Sequence, residues 1–152
     1  MKTLIENTES ELKRADHLIY VSLKYTRTCD VFKSIVERLI NAMDPMIDAL
    51  LLKLEEEKKI TEKPSQPKAK IDIIRQKYEH AEIKEFCDLY LLLRLINKAP
   101  FTRAREYRRH VTMTCHVEGK NMDVNIDNIT EYYKKIKGYF DFIKGIVLGE
   151  RA

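Results

Sequence analysis

Glycine and proline are scarce in this chain, four of each in 152 residues. So little turn-forming material argues against many short strands and for a few long helices. Cysteine is scarce too. Cys29, Cys87 and Cys115 are odd in number and widely spaced, with no CxxC among them, which points to a reduced intracellular setting. No second His or Cys stands at ligand spacing, so no zinc site and no cofactor is expected. The longest apolar run, Leu89 to Leu93, is far short of a membrane span. The first sixteen residues, MKTLIENTESELKRAD, hold no apolar signal core, so a cytoplasmic protein with no membrane partner is expected. Gly-rich phosphate loops, G-x-S-x-G and paired-acid motifs are missing, which leaves nucleotide hydrolysis and serine chemistry without support.

What is present is ordinary globular material. Hydrophobic residues make up 44% and charged residues 34%, and this length can bury roughly two-thirds of the unfolded surface in one core. The 28 basic and 24 acidic residues leave a net charge of +4. That permits nucleic-acid contact through a local patch without demanding it.

Apolar residues at Leu12, Ala15, Leu18, Ile19 and Tyr25 predict an amphipathic helix over about 10–25, with Thr8 or Ser10 as its cap. After a polar break at 26–30, with Thr28 or Asp30 as cap, the longest helix is expected over about 30–59. Its apolar positions, from Val31 and Phe32 to Leu51 and Leu54, keep a three-to-four period across Pro45, so a kink is expected there and not a break. The stretch 61–68, with Pro64 and Pro67, reads as a loop. Helices over about 68–79 and 82–98 follow. The second is apolar on most sides and is expected near the centre, stopped by Pro100.

Past residue 110 the period changes. Val111, Met113, Cys115 and Val117 alternate with polar residues, as do Met122, Val124 and Ile126 after a Gly-containing turn. This is a β-hairpin signal over about 111–126. Asp127 or Asn128 then caps the last helix, with Asn128 and Glu131 as a capping box. The expected fold is mainly α: a single domain, 1–152, of five or six helices with one β-hairpin before the last. The apolar positions of the longest and last helices outnumber one thin seam, so a homodimer is expected.

Polar chemistry gathers in Phe101-Thr102-Arg103-Ala104-Arg105-Glu106-Tyr107-Arg108-Arg109-His110, where four of ten residues are arginine. Arginine presents a rigid fork of donors suited to phosphate, and histidine is readily poised to move a proton near neutral pH. Cleaving RNA needs a group to deprotonate the 2′-hydroxyl, one to protonate the leaving oxygen, and a cation on the phosphorane. On a helix, Arg103 and His110 share a face, whereas Arg105 and His110 stand about 140° apart. If the helix runs through His110, Arg103 is the better partner; if it ends earlier, Arg105 is. The same run also reads as a solvated basic turn.

These residues carry a resemblance. Arg105 to His110 has four intervening residues and Arg103 to His110 has six, and the chain resembles the HEPN superfamily, small helical bundles with an R-x4–6-H signature near the final helical element. The amphipathic first helix, long second helix, Pro-containing loop and Leu91-Leu92-Leu93-Arg94 before the motif fit that layout. Glu106 stands where a small polar residue is usual and would bring negative charge beside the phosphate site. The hairpin is an insertion in an otherwise helical pattern. The resemblance implies a homodimer with the motif at its interface, often a metal-independent endoribonuclease, and in many members a nucleotidyltransferase partner within a toxin–antitoxin module. His110, Arg105 and Arg103 are then the candidate catalytic residues.

Arg108, Arg109, Lys134 and Lys135 are candidate RNA contacts. Tyr132 and Tyr133 beside these lysines suit base stacking, though core aromatics next to a wet lysine face explain them as well. His17, His80 and His116 read as surface, turn and outward strand positions. The competing function class is a non-catalytic protein-interaction module.

Overall fold

A computed structural model of the protein describes residues 1–149. The first helical rod is α1 (Lys2–His17), a π-helical turn (Leu18–Ser22) and a last turn, α2 (Leu23–Tyr25). Then come α3 (Cys29–Glu56), α4 (Pro67–Lys77) and α5 (Ala81–Lys98). Three strands, β1 (Phe101–Ala104), β2 (Thr112–Val117) and β3 (Lys120–Val124), precede α6 (Ile126–Val147). The architecture is mainly α with a small antiparallel sheet before the last helix, as expected. No described helix is long and apolar enough to cross a membrane.

The first rod begins earlier than the sequence reading placed it. Leu4 and Ile5 pack against the core in helical register with Thr8 and Leu12, so the apolar stripe runs back to the start of α1. Thr8 is therefore no cap. The residue is 1% exposed and its hydroxyl donates to the carbonyl of Ala42 at 3.1 Å, one turn before Pro45. α3 runs unbroken through that proline. Thr28 caps α3, its hydroxyl accepting from the Val31 amide. Pro67 opens α4 at its first position, where a missing amide costs nothing.

The centre of the molecule is α3 and not the 82–98 helix. α3 packs against α1, α4, α5, α6 and β2, and Phe32, Ile35, Leu39, Met43, Leu50 and Leu51 are fully buried. Each such side chain contributes roughly 1.5–3 kcal/mol by leaving water. α5 is apolar on most sides yet leaves Leu95 exposed and Leu91 and Leu92 half-covered. The apolar surplus of α3 that suggested a second copy is thus covered within one chain.

The predicted hairpin is β2–β3, joined by Glu118 and Gly119, both at positive φ (50° and 79°). That pair of dihedrals gives a type I′ turn, whose twist matches the strands. Met113, Cys115 and Val117 are buried while His116 faces out. The strand order is β1-β2-β3, and β1 was not anticipated. Pro100 sends the chain into extended backbone, and Phe101–Ala104 pairs with β2 from Phe101↔Cys115 to Ala104↔Thr112. The cap of α6 is also corrected. Asn125 and Asn128 exchange side-chain-to-amide hydrogen bonds of 2.9 Å, a reciprocal box one turn upstream of the Asn128–Glu131 reading.

Candidate phosphate-binding cleft

The arginine-histidine stretch is not helical. Its first residues are β1, and Arg105 to Val111 is the loop that returns the chain into β2. The helical comparison of Arg103 with Arg105 therefore does not apply, and strand register decides instead. Arg103 lies opposite Met113, so it projects from the helical side of the sheet toward the start of α3. There it donates to Asp30 at 2.9 Å and to Glu106 at 3.2 Å, with its guanidinium 5.1 Å from the Phe101 ring centre. That hydrogen bond from Arg103 holds the Asp30 carboxyl below its ordinary value. Arg103 is committed to structure.

Glu106 explains the shape of the loop. Its carboxylate accepts from the backbone amide of Cys29 at 3.0 Å, one of the orphan donors at the start of α3. The negative charge expected beside the phosphate site is therefore turned inward, onto a helix end and Arg103. Glu106 is half-buried while Arg105 and Tyr107 on either side are exposed. Both neighbours hold left-handed backbone, φ 56° and 66°, a conformation that non-glycine residues adopt only where surrounding structure imposes it. The Tyr107 amide also donates to the Arg27 carbonyl at 2.6 Å, which ties this loop to the 26–28 turn.

Between those two loops and the start of α6 lies a cleft of about 440 Å³, lined by Arg27, Arg105, Arg109, His110, Thr112, Asn125, Ile126 and Asp127. Arg105 and His110 share it; Arg103 does not line it. Among the described residues no carboxylate lies within ion-pair distance of Arg105 or Arg109. Three arginines, of which Arg27 donates its Nε to the Leu23 carbonyl at 3.2 Å, against the single carboxylate of Asp127 leave the cleft positive, and the amino end of α6 adds to that field. An anion with several oxygens suits this lining.

The remaining candidates separate. Arg108 is exposed but does not line the cleft, and its backbone serves the turn, its amide donating to the Arg105 carbonyl. Lys134 and Lys135 sit about 12 Å along α6 from its start. Lys135 lines a different and larger groove, about 640 Å³, between α5 and α6. Glu82, Glu85, Asp88 and Asp141 also line that groove, so its charge opposes a phosphate chain. Tyr133 is core: it is buried and donates to Asp16 at 2.8 Å. His17 and His116 are exposed, and His80 sits in its turn against Tyr78 and Phe142. No three His, Cys, Asp or Glu side chains among the described residues are grouped to hold a metal ion.

Arg27 and Asp127 escaped the sequence reading. Arg27 lay in a presumed polar break and Asp127 in a cap position; only the fold brings them to His110. Comparison with protein-family models, curated proteins and solved structures finds no match to this chain.

Proposed function

We propose that this is an HEPN-like RNA-binding protein and metal-independent endoribonuclease that binds a phosphodiester in the cleft beside His110. The observation that carries this reading is that Arg105 and His110 line one open cleft with two further arginines, while Arg103 is occupied by Asp30 and Glu106. Arg105, Arg109 and Arg27 would hold the phosphate oxygens and offset the charge that grows on the phosphorane. His110 would move the proton. Asp127, which lines the same cleft, would take the proton of the 2′-hydroxyl as His110 protonates the leaving 5′-oxygen. In a homodimer the second copy would bring its own Arg and His to the same strand, and a nucleotidyltransferase partner would regulate access to it.

The test is incubation of the purified protein with single-stranded RNA in EDTA, alongside His110→Ala and Arg105→Ala. Cleavage by the wild type and a loss of about 10²-fold or more in His110→Ala is the expected result. No cleavage by the wild type sinks the nuclease reading and leaves the interaction module.

A further inference from the structure

Two strongly exposed tyrosines stand on the segments that carry arginines of the cleft. Tyr25 is 82% exposed and Tyr107 is 75% exposed, the two most exposed large hydrophobic side chains of the described residues. Single exposed rings are ordinary on a protein surface; here two stand on segments tied to each other by a backbone hydrogen bond. Their backbone positions are joined: Tyr107 donates its amide to Arg27, two residues past Tyr25. Tyr107 lies between Arg105 and Arg109, which both line the cleft. Its ring is presented outward because Glu106 is pulled inward by Cys29 and Arg103, leaving its neighbours in left-handed backbone.

A positive groove whose lining segments also carry exposed rings matches one kind of ligand. Phosphates track the guanidinium groups while unpaired bases lie on the aromatic faces. Duplex RNA keeps its bases stacked inside and offers these rings nothing to cover. We infer that Tyr107, together with Tyr25, is a base-stacking platform that selects unpaired strands for the arginine cleft. The inference rests on the phosphate-binding reading above and adds the strand state of the substrate and the residues that read it.

The probe is a fluorescent 2′-O-methyl oligouridylate, which lacks the attacking hydroxyl and so survives the reaction, and its duplex with 2′-O-methyl oligoadenylate. Binding is followed by anisotropy. Tyr107→Asn tests the ring on a side chain that tolerates positive φ; Tyr107→Phe keeps the stacking face, and Tyr25→Ala gives a second site should Tyr107→Asn fold poorly. Wild type should prefer the single strand. Tyr107→Asn should lose on the order of tenfold on it, with duplex binding unchanged and Tyr107→Phe close to wild type. Unaltered binding by both Tyr107→Asn and Tyr25→Ala, or equal loss on the duplex, overturns the inference. A loss accompanied by a changed sedimentation coefficient also overturns it, because the rings then serve contact between copies. Weakened binding by Arg105→Ala with no effect of either tyrosine removes the platform and leaves the phosphate cleft. No binding by the wild type removes both.

Discussion

The Glu106 carboxylate caps α3 from the far side of the chain, accepting the Cys29 amide across a sequence separation of 77 residues. Thr28 supplies the local cap to Val31, so one helix end is closed by a neighbour and by a distant loop. Glu106→Ala should destabilise the protein by about 1–2 kcal/mol, the range for a charge-assisted cap. Glu106→Gln, which keeps an accepting oxygen, should cost less. Urea unfolding of the two variants checks the order; equal stabilities would remove the cap from the account.

Asp30 gives a pH signature. Its folded value is depressed by the hydrogen bond from Arg103, so its stabilising effect is present above the unfolded value of 3.8 and is lost as pH falls through the folded one. Asp30→Asn should therefore be less stable than wild type near neutral pH, and the gap should close below about 3.8. The pair is exposed, so added salt should narrow the neutral-pH gap as well. A gap that widens in acid contradicts this assignment.

Thr8 joins α1 to α3 at the turn before Pro45. Thr8→Val keeps shape and removes the hydroxyl that reaches Ala42, and should cost about 1 kcal/mol. Thermal melts read this directly. A neutral outcome would mean the buried contact is made by shape alone.

All three cysteines are free and buried. Burial pushes the Cys87 thiol up to about 11 and raises Cys29 and Cys115 as well, so little thiolate exists at neutral pH. A thiol reagent should label the native protein slowly and all three positions at once in denaturant. Fast native labelling of any one would show that its segment opens.

Helices were legible where apolar residues recurred at helical spacing beside charged ones, as from Val31 to Leu54, although the stripe of the first rod was read only from Leu12 and not from Leu4 and Ile5. The β2–β3 hairpin was equally legible from Met113, Cys115 and Val117 alternating ahead of Gly119. β1 was not, because Phe101–Ala104 is too short to show a period and owes its extended shape to Pro100 and to pairing with β2. That miss carried the site with it. Once 101–104 is a strand, Arg103 turns toward Asp30, and the choice between Arg103 and Arg105 is set by register instead of helical angle. Arg27 and Asp127 could not be found from spacing, since neither belongs to the segment that contains His110.

The Glu106 cap also carries an expectation for the order of folding. α1 and α3 are near neighbours in sequence and can pair early, whereas Glu106 reaches Cys29 only after α4, α5 and β1 have closed a long loop. A contact absent from the transition state alters the escape rate from the native state and not the rate of reaching it. Glu106→Ala should then unfold faster and refold at the wild-type rate. The cleft would accordingly be the last part of the molecule to assemble and the first to come apart.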